Sequence, residues 1–347
     1  MSNEVWRLAR KPLAGWPVAD DFRWQLEDMP EPALGQMLTR TIYLSLDPYQ
    51  WGRRRSGAEQ PGDICHGRTV SEVVQSRMDT YAEGDIVFNT NGWQAWGLTG
   101  VNIDAFGYMF PRKIDPDLAP ISTAIGVMGM LGLTAYAGLV VQCEPKPGET
   151  LVVSAASGGV GQVVCQLGRL YGCRVVAIAG SDEKLEYLKT LGVDTAVSHR
   201  SPSFAAELRQ ACPDGCDIYF ENVGGAVFDG VLPLLNVHSR ISLCGLISQY
   251  GNEEGQDPRS LWRTHGNAVF ERNRVAVHDL FVGNFVAEHQ DRFLEEMGGY
   301  LRAGDIRYLE DKRPGLENTP GVFAQMLRGE NFGKTLMAVA QDPTVNH

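Results

Sequence analysis

Several features are missing from this 347-residue sequence, and each absence narrows what the chain can be. No two cysteines stand in a CxxC spacing, so neither a four-cysteine zinc lobe nor a dithiol redox motif is available. The seven cysteines, at 65, 143, 165, 173, 212, 216 and 244, are an odd set among apolar neighbours, which suits free thiols in a reducing, cytoplasmic compartment. No stretch reaches the roughly 18 unbroken apolar residues that cross a bilayer. Even IGVMGMLGLTAYAGLVV is threaded with glycine and holds Thr134 and Tyr136. MSNEVWRLARKPLAGWPVADDF has no apolar run followed by a cleavage site, so no signal peptide is expected. Positive charge is in deficit: 31 Lys and Arg against 42 Asp and Glu leave a net charge of −11, a field that repels nucleic acid. Repeats and biased segments are absent as well.

What is present is a globular composition, 44% hydrophobic and 21% charged, long enough for two domains. From Gln36 to about Arg112, short apolar runs alternate with turn residues, as in an all-β module. Residues 125–141 read as a buried helix. From Glu149 the texture changes, and strands such as TLVVSAA, RVVAIAG, DTAVSH, CDIYFENVGG and RISLCGLIS take turns with helices such as GVGQVVCQLGRLYG and SFAAELRQA. SDEKLEYLKTLG is a helix with Ser181 as its expected N-cap. RVAVHDLFVGNF, residues 274–285, reads as one last strand before a charged helix over 287–302. Such alternation implies an α/β fold with a doubly wound parallel sheet. Irregular strands near 306–309 and 334–339 then resume the early texture. The expected division is therefore a β module over 1–124, a nucleotide-binding unit over 125–303, and a tail, 304–347, that rejoins the first module.

Between the first strand and its helix lies SAASGGVG. A dinucleotide fingerprint needs a tight turn, a position without Cβ where backbone meets pyrophosphate, and a small residue for helix packing. Ala156, Gly158 and Gly161 occupy those places, and the helix N-terminus offers its unpaired N–H groups to phosphate. An NAD enzyme places a carboxylate about 20 residues on, against the ribose 2′-OH. Here that strand tip is Gly180, with Lys184 one turn into the next helix and His199 and Arg200 at the end of the third strand. An uncharged tip near three basic residues selects NADPH. The competing reading makes Lys184 a solvated helix lysine paired with a neighbouring acid such as Asp182 or Glu183.

GLTAY, PKPGETLVVSAASGGVGQVVCQLGRLYGC, AGSDEK, YFENVGG, CGLISQYG and NFGK, with LDPY and GWQ upstream, resemble the zinc-independent medium-chain dehydrogenases/reductases. The likeness is to the group of leukotriene B4 12-hydroxydehydrogenase, prostaglandin reductase and NADPH-dependent 2-alkenal (double-bond) reductase. It implies a Rossmann sheet inserted in a GroES-like β-barrel domain, and NADPH-dependent reduction of the C=C bond of α,β-unsaturated aldehydes and ketones. It also implies a homodimer through the 274–285 strand. Cofactor contacts carry over onto Ser157, Gly158, Gly159 and Val160 for the pyrophosphate and Lys184 for the 2′-phosphate. Asn222, Cys244, Gly245, Tyr250, Phe281, Val282, Gly283 and Asn331 then line the nicotinamide half. Four positions depart from the group. His199 replaces a tyrosine, Gln50 and Trp51 follow LDPY where the pocket is shaped, and Leu131 replaces a threonine.

Metal ligation is not expected, because Cys65 and His66 are neighbours that point apart on a strand and Cys212 and Cys216 have no partners. Charge developing on an enone oxygen then needs a hydroxyl donor. Tyr250, after the fifth strand, is the first candidate and Tyr49 the second, while Trp51, Trp93 and Trp96 read as core. Two other readings stay open, an NADPH:quinone reductase and a non-catalytic NADPH-binding protein.

Overall fold

The structure, a computed structural model, describes residues 2–105, 107–253 and 257–345. The chain forms two compact units, Met1–Gly129 with Glu310–His347, and Met130–Leu309.

The second unit is a six-stranded parallel sheet of β1 (Thr150–Val153), β2 (Arg174–Ala179), β3 (Thr195–Ser198), β4 (Cys216–Glu221), β5 (Leu235–Leu243) and β6 (Ala276–Asp279). Its spatial order is β3-β2-β1-β4-β5-β6. The helices are α1 (Gly161–Leu170), α2 (Asp182–Thr190), α3 (Phe204–Ala211), α4 (Gly225–Val231), α5 (Pro258–Asn273) and α6 (Gly283–Ala303). Strands covered on both faces must be apolar throughout, and all four residues of β1 are buried. Val163, Val164 and Leu167 of α1 are fully buried at helical spacing. Phe228, Trp262 and Phe270 fasten α4 and α5, with the Phe228 and Trp262 rings 4.4 Å apart between centroids. The order reverses between β1 and β4, so their carboxyl ends open the crevice where such folds bind ligands.

The first unit is a mixed sheet centred on the strand Gln36–Ser45. Thr69–Ser76, Ile86–Asn89 and Arg112–Lys113 follow on one side, Lys334–Ala338 and Glu310–Pro314 on the other, and Trp96–Gly100 also pairs with the centre. Leu336 pairs with Ser45, so the C-terminal segment is a structural strand of the N-terminal unit. Its buried interior is partly polar. The Asn91 amide donates to Thr39 and Thr41 hydroxyls at 2.9 and 3.0 Å, and the Asn89 amide donates to Thr39 and Thr99 at 2.9 and 3.0 Å. Such a network holds only because each amide finds partners.

Several local expectations are corrected. Residues 125–141 do not form one helix. A 3₁₀ turn, Ile121–Ile125, is followed by bonds from Met128 N to Thr123 O and Gly129 N to Gly126 O that turn the chain, before a helix Met130–Tyr136 widens into a π turn, Ala137–Gln142. Residues 274–285 are not one strand either: β6 stops at Asp279, and Gly283 already opens α6. The strand expected at 306–309 forms instead at Glu310–Pro314. Ser181 does occupy the N-cap of α2 with extended φ and ψ, but its side chain makes no capping bond. Polar helices without an apolar stripe escaped the periodicity, as in Tyr49–Ser56, YQWGRRRS. So did α5, which Asp257 caps by accepting Arg259 N–H at 3.1 Å.

Candidate active site

The crevice floor is built where β1 and β4 end. Ser154 Oγ donates to Glu221 Oε1 at 3.0 Å and accepts Asn222 N–H at 2.8 Å, while the Asn222 amide returns to Ser154 O at 2.8 Å. Fully buried Glu221 also accepts Val223 N–H, Gly224 N–H and the Trp262 indole N–H at 2.8, 3.0 and 3.1 Å. Burial pushes its carboxyl up, against the pull of those donors. Glu221 therefore locks two strand ends, a role that YFENVGG did not signal because its partner Ser154 lies 67 residues away.

The turn after β1 is held in a strained form. Ala155 adopts φ 46°, the left-handed region, and its carbonyl accepts Gly158 N–H at 3.0 Å. Gly161 is required there, since a Cβ on it would stand 2.4 Å from Ala155 O. Ser157 to Val160 thus precede α1, whose N-cap, Val160, provides no side-chain cap. The turn thus stands at the positive end of the α1 dipole, which favours an anion.

At the tip of β2 lies Gly180. A Cβ there would meet His199 Nε2 at 2.8 Å and Arg200 Nε at 3.2 Å, so both basic side chains lie across the bare strand end. Burial, then the Arg200 and Lys184 charges, holds the His199 imidazole below its ordinary value. Gly180, His199 and Arg200 thus meet at one strand end, and the Lys184 charge acts on the imidazole there.

After β5, the loop through Tyr250 is stitched to the end of β4. Cys244 N and Gly245 N both donate to Glu221 O at 3.0 Å, and Ile247 N donates to Asn222 O at 3.1 Å. Arg259 holds the same end by donating to Leu243 O and Cys244 O at 3.1 and 3.2 Å. The Tyr250 hydroxyl folds back over Gly245, 3.1 Å from where a Cβ would stand. Burial raises its phenol. Of the residues after β6, Val282 is buried, Phe281 is 55% exposed, and Gly283 opens α6.

Tyr49 and Asn331 belong to the first unit. Asn331 donates its amide to Gly333 O at 2.9 Å. Tyr49 heads the helix Tyr49–Ser56, and its hydroxyl lies 2.7 Å from His66 Nε2. Burial raises the Tyr49 phenol, which the Arg68 charge opposes. Burial, then Arg53, Arg68 and Arg54, drives the His66 imidazole well below its usual range. Under this pair lies a buried ion cluster. Asp47 accepts Arg68 at 2.6 Å and Lys334 at 2.9 Å, and the two cations hold its carboxyl ionised against desolvation.

Three expectations change here. Gln50 is packed inward, its amide donating to Ser45 O at 3.0 Å, while Trp51 is core as expected, fully buried and donating to Gly15 O at 3.0 Å. Trp93 is core as expected, whereas Trp96 is only half-buried on its strand. Cys65 and His66 do not lie on a strand but in the approach to Thr69–Ser76, fixed by Cys65 N donating to Trp6 O at 2.9 Å. Burial pushes the Cys65 thiol up to about 12, which makes it a poor metal ligand. Among the described residues no group of three or more His, Cys, Asp or Glu could hold a metal ion, and no helix is long and apolar enough to cross a membrane.

Comparison with known proteins agrees with this geometry. A family model described as "Zinc-binding dehydrogenase" matches residues 159–285, and one described as "N-terminal domain of oxidoreductase" matches 4–100. The chain is 41% identical over 352 residues to the NADPH-dependent curcumin reductase of Escherichia coli, covering 98% of both chains. Prostaglandin reductase 1 of Rattus norvegicus is 37% identical, over 96% of this chain and 98% of that one. Among solved structures, CurA of Vibrio vulnificus in complex with NADPH is 40% identical with a TM-score of 0.87, covering 98% of this chain and 100% of that one. With a glycine-tipped second strand under two basic side chains, the parallel order of its sheet and this likeness along nearly its whole length, the chain belongs to the zinc-independent branch of the medium-chain dehydrogenase/reductase family.

Proposed function

We propose that the chain reduces the C=C bond of α,β-unsaturated aldehydes and ketones, using NADPH, with protonation of the resulting enolate. The observation that carries this is the bare tip at Gly180 beneath His199 and Arg200, in a chain 41% identical to an NADPH-dependent curcumin reductase. In this reading the turn from Ser157 to Val160 holds the pyrophosphate, Lys184, His199 and Arg200 hold the 2′-phosphate, and Asn222, Cys244 and Gly245 border the nicotinamide. Phe281 to Gly283 and Asn331 complete that border. When bound, NADPH supplies the hydride for the β-carbon.

The chain's own residues must then place a proton donor near the developing enolate oxygen and α-carbon. Tyr250 is the first donor. Its raised phenol stays protonated at neutral pH, and its hydroxyl is held at the carboxyl end of the sheet. Tyr49 is the second, and the His66 ring orients its hydroxyl. In the same reading Met130–Leu309 is the cofactor unit and the β unit is GroES-like. A homodimer forms through β6, an edge strand with a single neighbour. The seven cysteines, all free thiols, suit the cytoplasm.

The test is steady-state oxidation of NADPH with 2-alkenals, long-chain enones and 1,4-quinones as acceptors. Turnover of the enals or enones is expected. Fast turnover of quinones alone would reassign the activity, and tight NADPH binding with no acceptor at all would remove it.

A further inference from the structure

The basic cluster over Gly180 is not built from permanent charges alone. Beside the basic side chains of Arg200 and Lys184 stands the His199 imidazole, the side chain whose protonation its surroundings most readily switch. Its imidazole Nε2 stands 2.8 Å from the position a Gly180 Cβ would take, and its backbone N–H donates to Ala179 O at 3.0 Å, which fixes the ring's base at the end of β2. The other ionisable groups nearby are Asp182 and Glu183 in the first turn of α2, and Glu207 on α3. Glu207 is engaged elsewhere, accepting Ser201 and Ser203 hydroxyls at 2.6 and 2.7 Å. Burial, then the Arg200 and Lys184 charges, disfavours the imidazolium when no anion is present. A phosphate monoester carries nearly two negative charges at neutral pH and reverses that balance.

We propose that His199 is a proton-coupled discriminator of the cofactor: the protein takes up a proton at this imidazole when a 2′-phosphate settles against it, so the share of the preference for NADPH over NADH that the imidazole supplies strengthens as the solution becomes mildly acidic. This rests on the cofactor assignment made above. The sign follows from linkage. Stabilising the bound imidazolium raises the pKa of the complex above that of the free protein, so affinity grows as pH falls from the bound value to the free one. The 2′-phosphate contributes with the opposite sign, because neighbouring cations favour its dianion and binding releases its last proton. Only the difference between wild type and a His199 variant therefore isolates the imidazole.

Calorimetric titration of the wild type, His199→Gln and His199→Arg with NADP⁺ and with NAD⁺, each in two buffers of different ionisation enthalpy, measures affinity and proton number directly. Between about pH 8 and pH 6 the NADP⁺ to NAD⁺ affinity ratio of the wild type is expected to rise by about tenfold more than that of His199→Gln, the change one pKa unit produces. Wild type is also expected to take up more protons with NADP⁺ than His199→Gln does. His199→Arg, with its fixed charge, is expected to keep the selectivity and lose the extra pH dependence. Equal proton numbers for wild type and His199→Gln, with NADP⁺ still preferred, would overturn the coupling and leave the cofactor assignment standing. Equal affinity of the wild type for NADP⁺ and NAD⁺ at every pH would overturn both.

Discussion

The Tyr49 hydroxyl lies 2.7 Å from His66 Nε2, and the Arg68 guanidinium sits 5.5 Å from the centre of the tyrosine ring. Burial drives both partners toward their neutral forms, one upward and one downward, so the contact is a phenol beside an uncharged imidazole rather than an ion pair. Such a contact orients a hydroxyl without consuming its acidity. Tyr49 and Tyr250 are the two proposed proton donors, and each is tested by itself.

Substitution separates them. Tyr250→Phe is expected to lower kcat by about a hundredfold or more with little change in KM, the usual range for losing a general acid. Tyr49→Phe is expected to cost less, with His66→Phe matching it because the two act through one hydrogen bond. A wild-type kcat for Tyr250→Phe in an enone assay would exclude it from the proton step.

The proposed 2′-phosphate contact is tested at Lys184. Lys184→Ala is expected to raise the KM for NADPH by at least about tenfold while leaving NADH little changed, since a charge-assisted contact contributes about 1.5 to 3 kcal/mol. Equal losses with both cofactors would place Lys184 on the solvated helix surface instead.

Gly180→Asp tests the same pocket from the strand. Its Cβ meets His199 Nε2 at 2.8 Å and Arg200 Nε at 3.2 Å, so the basic side chains must swing away while a carboxylate arrives at the proposed 2′-phosphate site. kcat/KM is expected to fall by about a hundredfold for NADPH and to hold or rise for NADH. An unchanged ratio of the two would show that the tip does not face the ribose.

Asp47→Asn addresses stability. It strands Arg68 and Lys334, both buried, without their shared counter-charge, a change that typically costs about 3 to 5 kcal/mol. The folded-state carboxyl of Asp47 is held below its ordinary range, so its contribution is present above that range and is lost as pH falls through it. Thermal melts are expected to show a large drop in Tm for the variant at neutral pH, and a shallower acid-side decline than wild type.

The chain by itself determined the architecture of the cofactor unit. Alternating apolar strands and amphipathic helices leave few topologies, and the strand–SAASGGVG–helix run carries its purpose locally, because a phosphate-binding turn is made from consecutive residues. The bare tip at Gly180 was legible for the same reason, at a fixed distance along one βαβ unit. Where periodicity was weak the sequence misled, as in the polar helix Tyr49–Ser56 and the glycine-rich segment that turns at Gly126 to Gly129. Only the tertiary structure decided that Glu221 clamps Ser154 and Asn222, that His66 meets Tyr49, and that Lys334 reaches Asp47 across 287 positions of sequence. Those contacts join residues whose neighbours in sequence carry no trace of the partner. A buried charge or hydrogen bond is selected by what the fold brings within 3 Å of it, and not by any local pattern.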